Sequence, residues 1–514
     1  MIPEIRRDEK NILTLYVQGK PFFCLAGELH NSAASSLEYM EREIWPRLKG
    51  LHMNSVILPF YWECIEPEEG QYDFTLLDGL ICQAREQDMK LIFLWFGLWK
   101  NSESMYVPGW MKRDTVNYFR AEKVNGELLN TVSPLCDKAV EKDAAAFAAV
   151  MKRIRELDEE ETTVLFMQVE NEIGLLGTIR DYSEAANSAF SAAVPEELSE
   201  KLGLESGKTW RDSFGDDAEE SFMAYCFASA VEKITRAGQN EYPLPCYANS
   251  WLRQYPWYAG SYPSGGPVTG MHRIWKAAAP SLFTLAPDIY VPYVPQIMDE
   301  YTGADNPLVI PEVRKDAVTA AYAMYAFGRH NAICYSPFGI EELNMDPASI
   351  DVPPAEIMAA LNIDPSAFDI AGSAGYLSRA YGLLSQMQPL YLQYRGTEHL
   401  KSYVRHSETD YGTLMKFEEY DLQIAYAPRI PKQPVAGGMV YELSPDKFLL
   451  VGMQSGFTFM PKPGVNKKTE IMKLEEGELI NGEWKAGRIL NGDEKMMLRL
   501  GAMPSCLMVE LFQY

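Results

Sequence analysis

Between residues 22 and 339 the chain alternates short, almost wholly apolar runs with longer stretches whose apolar positions recur every three or four residues. The short runs fall at 22–26, 55–60, 91–96, 164–169, 245–248, 288–291, 308–310 and 332–335. They do not alternate apolar with polar, which is how strands read when a parallel sheet is covered on both faces. Among the longer stretches, Leu37, Met40, Ile44, Leu48 and Leu51 share one helical face behind Ser35-Ser36, a cap signal. Val140, Ala144, Phe147, Met151, Ile154 and Leu157 mark a second amphipathic face, and a third helix is expected over 219–236. Eight parallel strands joined by helical crossovers predict an α/β protein with a (β/α)8 TIM barrel. The crossover between the fourth and fifth runs is long enough to carry an insertion near 182–217. The one after the sixth is short, so its helix should be reduced.

A helical stretch over 375–394 should close the barrel, and from about 396 the pattern changes. β-branched and aromatic runs such as 447–451, 457–460 and 506–512 are broken by turn signals, with Asn481-Gly482 and Asn491-Gly492 reading as hairpin turns and 431–434 as an exposed loop. The expected organisation is a catalytic barrel over residues 1–395 and a C-terminal antiparallel β-sandwich over 396–514.

Composition narrows the class of function. The 514 residues are 47% hydrophobic and 12% aromatic, which fits a folded enzyme and not a disordered chain. A net charge of −24 argues against nucleic acid or an anionic membrane as partner and suits a neutral ligand. The first ten residues lack the apolar core of a signal peptide, and no run approaches the ~20 apolar residues of a membrane span. The eight cysteines are scattered, none in a C-x-x-C pair, and no H-E-x-x-H motif is present. Buried free thiols, a cytoplasmic location, no metal and no cofactor are the expectations. Apolar surface on the terminal domain would allow a homodimer.

The chemistry-bearing residues gather where strands end. The fourth run finishes in Glu170-Asn171-Glu172 and the seventh in Pro311-Glu312. In β-α architectures the C-terminal strand ends are where active sites are built. Two such glutamates suggest the carboxylate pair of a glycoside hydrolase, although each alone reads first as a structural group that caps a helix or makes a salt bridge. Glu28, Tyr61, Trp99, Lys100, Asn101, Asn249, Tyr290 and Tyr293 also lie at or just past strand ends. Rings there can stack on a sugar, while amides and carboxylates read its hydroxyls; core packing is the competing reading for each aromatic. Asn171 would hydrogen-bond a sugar hydroxyl, Glu170 is expected to be a buried structural acceptor, and Arg314 either keeps Glu312 ionised or makes a surface ion pair.

Several motifs carry a resemblance. Gly27-Glu28-Leu29-His30, Gln168-Val169-Glu170-Asn171-Glu172-Ile173-Gly174 and Trp62-x-x-x-Glu66-Pro67-x-x-Gly70-x-Tyr72-Asp73-Phe74 resemble glycoside hydrolase family 35, the β-galactosidases, within the large barrel superfamily of retaining glycosidases. The stretch 94–101 followed by Tyr106-Val107-Pro108 is similar to a bacterial branch that carries a β-sandwich after its barrel. The resemblance spans about residues 20–395. It implies Glu172 as general acid/base, Glu312 as nucleophile, and a β-galactoside in an oligosaccharide as substrate. Two places depart from the family pattern: Trp99-Lys100-Asn101 stands where much of the family has an Ala-Glu step, and Tyr293 where the sandwich-bearing branch often has an acidic residue. Both bear on sugar choice, so a β-glucoside-active hydrolase or a transglycosylase on the same scaffold is the alternative. A non-catalytic carbohydrate-binding protein is the second.

Overall fold

The structure, a computed structural model, describes residues 1–514. Eight apolar runs pair as parallel strands: β1 (Cys24–Leu25), β2 (Ser55–Tyr61), β3 (Lys90–Lys100), β4 (Val164–Asn171), β5 (Cys246–Ser250), β6 (Leu282–Ile289), β7 (Val309–Val313) and β8 (Cys334–Pro337). Every residue of β2, β4, β5 and β7 is buried, as expected for strands sandwiched between a barrel interior and a helical layer. The order is β1-β8-β7-β6-β5-β4-β3-β2. The ring closes at Glu28, whose backbone bridges Ile57 of β2 on one side and Phe338 after β8 on the other. This is a TIM barrel.

Helices cover the outside. Asp137–Asp158 and Ala218–Glu241 pack on each other, each burying one face of a long amphipathic repeat. Ser36 caps the helix beginning at Leu37 by accepting the Tyr39 N–H at 3.3 Å, and that helix passes through a π-helical turn at Met40–Ile44. The insertion after β4 forms short helices at Glu184–Ser191, Glu196–Leu202 and Trp210–Phe214, and the helix after β6 is reduced to Val294–Tyr301. The stretch expected as one helix over 375–394 is two, Ser373–Gln386 and Gln388–Tyr394. Pro389 sits in the first turn of the second, where its missing N–H costs nothing.

Three strands differ from expectation. Residues 22–26 divide, with Lys20–Phe22 joining Glu4–Arg7 and Leu13–Val17 in a separate antiparallel sheet and only Cys24–Leu25 entering the barrel. Leu15 and Val17 of that sheet pack with the barrel-interior side chains Ile57, Ile92, Phe166, Val309 and Cys334. The sixth strand runs over Leu282–Ile289 and not 288–291. Thr284 and Pro287 interrupt its apolar character; the Thr284 hydroxyl is satisfied by donating to the Pro307 carbonyl at 2.6 Å. β3 continues to Lys100, and its register against β4 shifts between Trp95 and Lys100.

The C-terminal region holds two antiparallel sheets. Six strands run in the order Leu400–Val404, Gly437–Ser444, Lys447–Met453, Ser505–Gln513, Thr469–Ile480, Glu483–Ile489, facing a four-stranded sheet that includes Tyr420–Tyr426 and Ser455–Pro461. Their shared core contains Leu422, Ile424, Phe448, Leu450, Phe457 and Val509. Asn481-Gly482 makes the hairpin turn, both residues at positive φ. Asn491-Gly492 instead leads into a helical turn at Asp493–Met496. All eight cysteines are free, six of them buried, with Cys64 and Cys82 exposed. No helix is long and apolar enough to cross a membrane.

Candidate active site

β4 delivers Glu172 through an unusual backbone. Glu170 and Glu172 both have positive φ, 63° and 47°, a conformation that costs a residue with a Cβ of order 1 kcal/mol or more. The turn is held on both sides: Asn249 Oδ1 accepts the Glu172 N–H at 2.9 Å, and the Ser102 N–H donates to the Glu172 carbonyl at 3.2 Å. Gly174 follows because a Cβ there would meet the backbone of Pro263 at 2.6 Å. The motif 168–174 is thus a device for bending the chain at the barrel mouth.

Glu312 comes from β7, and its Cα partner on β6 is Asp288. Parallel neighbours in register present side chains to the same face, so the two carboxyls stand side by side. One oxygen each of Glu172, Asp288 and Glu312 lies within 4.8 Å of the others. The Tyr290 hydroxyl donates to Glu312 Oε2 at 2.7 Å, leaving Glu312 Oε1 buried and without a protein partner. Asn249 Nδ2 donates to Asp288 Oδ2 at 2.7 Å and to Asn171 Oδ1 at 3.1 Å, while Asn171 Nδ2 donates to Asn101 Oδ1 at 3.1 Å. The amides therefore form a chain that fixes the carboxyls relative to one another.

Crowding sets the protonation of the group. Burial, followed by the charge of Glu312, raises Glu172 from an ordinary 4.5 to about 7. Burial and then Glu312 push Asp288 and Glu28 well above the usual carboxyl range. Both oxygens of Glu28 are buried without partners, and Lys100 is the cation that offsets part of its cost. The same carboxylate trio has the spacing of a divalent-cation site. Tyr290 and Asn249 occupy one oxygen each of Glu312 and Asp288, and the remaining oxygens face the same small space.

That space is a pocket of about 230 Å³ lined by Lys100, Asn101, Glu172, Asp288, Tyr290 and Glu312, with Trp251, Phe338 and Phe368 supplying apolar walls and Asn31, Gln254 and Asn362 further amides. Of the residues singled out in the sequence, Lys100, Asn101, Glu172, Tyr290 and Glu312 meet there. Asn171 and Asn249 lie just behind, holding the others, and Glu28 is buried beside them. Trp99, Tyr61 and Tyr293 do not reach the pocket. Trp99 is fully buried, donates Nε1–H to the Val132 carbonyl at 2.9 Å and packs edge-on against Phe227. Tyr61 is buried against Tyr106 and Phe96. Tyr293 lines a different hollow with Tyr322 and Arg405.

Arg314 does not touch Glu312. It is buried in a fork on Asp316 (2.7 and 2.9 Å) and reaches Asp364 Oδ2 and Ser366 Oγ at 2.7 Å each, so it clamps the 361–368 segment that forms one pocket wall. Glu170 accepts the Trp99 N–H at 2.6 Å and the Leu98 N–H at 3.1 Å beside Asp143, which accepts from Trp95 Nε1 at 2.7 Å. Glu66 of the Trp62-to-Phe74 motif is likewise structural, accepting from Trp62 Nε1 and the Gly70 N–H. Sequence reasoning missed Asp288, which a strand starting at 288 would have put at the wrong end of the barrel. It also missed Trp251, two residues past Asn249 on the same strand exit.

Comparison with known proteins bears on the first half of the barrel and on the C-terminal region separately. Residues 38–216, which include β2 to β4 and Glu172, match the model of glycoside hydrolase family 42, described as beta-galactosidase. Residues 377–500 match a domain of unknown function, DUF5597. The first of these is family 42, whereas the sequence motifs resemble family 35. No curated protein matches the chain. Among solved structures, a cold-adapted beta-galactosidase from Rahnella sp. R3 is similar at 14% identity and TM-score 0.48, over 72% of this chain and 57% of that one. The beta-galactosidase of the haloarchaeon Halorubrum lacusprofundi is similar at 14% and 0.42, over 70% and 58%. A family 39 glycoside hydrolase from Bacteroides cellulosilyticus WH2 is similar at 10% and 0.45, over 97% and 84%. The chain spans just over half the length of the Rahnella and Halorubrum enzymes, and 54% of an exo-beta-1,4-mannosidase from an Opitutaceae bacterium. The model described as beta-galactosidase thus covers the strand that delivers Glu172, while β6 and β7, which carry Asp288 and Glu312, lie outside the matched residues.

Proposed function

We propose that the protein is a retaining, exo-acting β-glycosidase, with β-galactosides in oligosaccharides as its substrates. The observation that carries this reading is the separation of Glu172 and Glu312, oxygens within 4.8 Å across a small pocket. Retaining enzymes keep their carboxyls ~5–5.5 Å apart, while inverting enzymes need ~6.5–9.5 Å to admit a water between them. Glu312 Oε1, the oxygen free of Tyr290, attacks the anomeric carbon as the bond to the leaving oxygen breaks. Glu172, protonated because burial and Glu312 hold its pKa at about 7, gives its proton to that oxygen. Once Glu312 is esterified its charge is gone, so one of the two causes holding Glu172 up disappears. Glu172 then takes a proton from water, whose oxygen attacks the anomeric carbon and releases Glu312.

Galactose as the sugar is supported by the family 42 match and by the family 35-like motifs. Lys100 lines the pocket at the position where the family pattern differs, and it favours the second reading of a glucoside-active or transferring enzyme on the same scaffold. Eight unpaired cysteines support a reducing, cytoplasmic setting. The experiment is release of nitrophenol from a panel of aryl β-D-glycosides by wild type, Glu172→Ala and Glu312→Ala. Galactoside turnover abolished in Glu312→Ala, and rescued by azide as the β-azide product in Glu172→Ala, is expected. An α-configured azide product from Glu172→Ala would overturn the assignment of roles by making Glu172 the nucleophile, and a glucoside preference would move the sugar.

A further inference from the structure

The loop that leaves β5 carries three large aromatic side chains into solvent. Tyr255, Trp257 and Tyr258 are 67%, 54% and 64% exposed, within four positions of one irregular segment. Scattered exposed apolar residues need no explanation, but adjacent exposed aromatics mark a surface that binds something. Nor is the segment a loose tip. At its start Gln254 Nε2 donates to the Leu361 carbonyl at 2.8 Å, and Asn362 Nδ2 donates to the Tyr255 carbonyl at 2.6 Å. At its end the Gly177 N–H donates to the Gly260 carbonyl at 2.8 Å, where a Cβ on Gly260 would strike the Thr178 backbone. Between these anchors the Trp257 N–H donates to the Gln254 carbonyl at 2.8 Å, holding Trp257 at a φ of 68° that a bulky residue rarely adopts. The chain thus accepts local strain to present rings outward.

The loop is continuous with the catalytic pocket. Trp251, Leu252 and Gln254 line it, and so does Asn362, which ties down Tyr255. Trp251 and Glu172 line the same pocket. The ledge therefore begins beside Glu172, the proposed proton donor to the leaving oxygen. Building on the proposed glycosidase reading, we infer that Tyr255, Trp257 and Tyr258 form a binding ledge for the leaving-group sugars of a neutral oligosaccharide. Tyrosine and tryptophan suit that ligand because each offers an apolar face to a pyranose ring and a polar edge to its hydroxyls. A pocket of about 230 Å³ holds the sugar being cleaved, and a chain of further sugars has the ledge as its path outward. The enzyme is then selective for the length of its substrate as well as for its terminal sugar.

The test uses the full-length protein, wild type and the Trp257→Ala and Tyr258→Ala variants, with nitrophenyl β-D-galactoside and β-1,4-linked galacto- and gluco-oligosaccharides of two to five units. The expected result is that wild-type kcat/KM rises with chain length. Each variant should lose roughly three- to tenfold on the longer substrates, and several-fold more there than on the aryl monoside. A wild type indifferent to length, or variants that fall equally on all substrates, would overturn the ledge. Binding of the same series to Glu172→Gln, read by tryptophan fluorescence, separates this inference from the one it rests on. Affinity that grows with length and drops when Trp257→Ala or Tyr258→Ala is added to Glu172→Gln supports the ledge even where no substrate is turned over. Affinity flat with length overturns it. If Trp257→Ala instead converts a dimer to a monomer without changing length dependence, the rings belong to a second copy and the inference is refuted.

Discussion

Replacing Glu172 with glutamine should make the protein more stable, and only above acid pH. The carboxyl is raised from 4.5 to about 7 by burial and by Glu312. In the unfolded chain it would ionise near its ordinary value. For a raised carboxyl the folded state keeps its full contribution below the unfolded pKa and loses it as pH climbs toward the folded one, here across pH 4.5 to 7. At about 1.4 kcal/mol per pH unit that gap corresponds to ~3 kcal/mol, an order-of-magnitude figure for a group this crowded. Glutamine mimics the protonated form and carries no such penalty. Removing the charge also relieves Asp288 and Glu28, both pushed up in part by Glu172, which adds in the same direction. Urea unfolding of wild type and Glu172→Gln, followed by tryptophan fluorescence at half-unit steps from pH 4.5 to 8.5, measures the difference. It should be near zero at the acid end, grow through pH 7 and then level off. A difference independent of pH, or one that favours wild type at pH 8, would refute the electrostatic account of the site.

The same carboxyl predicts that kcat/KM falls as pH rises through about 7, because the proposed first step needs protonated Glu172; a pH profile on an aryl galactoside reads it. Asn249→Ala removes the acceptor for the Glu172 N–H and the donor to Asp288, and should cost ten- to a hundredfold in kcat, equivalent to roughly 1–3 kcal/mol, with little change in fold by circular dichroism. Gly97→Ala would force a Cβ within 2.5 Å of Asp143 Oδ2 and Glu170 Oε1 and should destabilise by about 1–3 kcal/mol, seen as a lowered Tm. Chelation with EDTA should leave kcat/KM unchanged, whereas a loss restored by a divalent cation would assign Glu172, Asp288 and Glu312 to a metal.

What could be read from the chain follows from what kind of information each feature needs. Wholly apolar runs identify parallel strands without knowledge of their neighbours, so the barrel and the exits at Glu172 and Glu312 were visible in the pattern. β6 was hidden because Thr284 and Pro287 break the pattern for reasons that lie elsewhere, the Thr284 hydroxyl being satisfied by a carbonyl across the sheet. With the strand displaced by six residues, Asp288 looked like an entry and not an exit. Its meaning depends on register, since only pairing with Glu312 makes it part of the site. The aromatics show the opposite limit. Trp99 and Tyr290 both end strands, but one turns outward onto Phe227 and the other inward onto Glu312, and composition carries no sign of that choice.

The four carboxyls at the barrel mouth explain why the site is built on strained backbone and amide clamps. Glu28, Glu172, Asp288 and Glu312 repel one another wherever more than one is ionised, and Lys100 is the single cation lining their pocket. A flexible scaffold would relieve that repulsion by letting the side chains swing apart. Here Asn249 grips Asp288 and the Glu172 backbone together, Tyr290 holds Glu312, and the left-handed turn at Glu172 is fixed from both sides. Separation being blocked, the group relaxes by retaining protons, which is what an acid catalyst near neutral pH requires. The stability forfeited above pH 7 and the proton that the proposed mechanism gives to the leaving group are therefore two readings of one constraint. A substitution that loosens the clamp, such as Asn249→Ala, should lower the pKa of Glu172 as it lowers kcat, moving the alkaline limb of the pH profile toward acid.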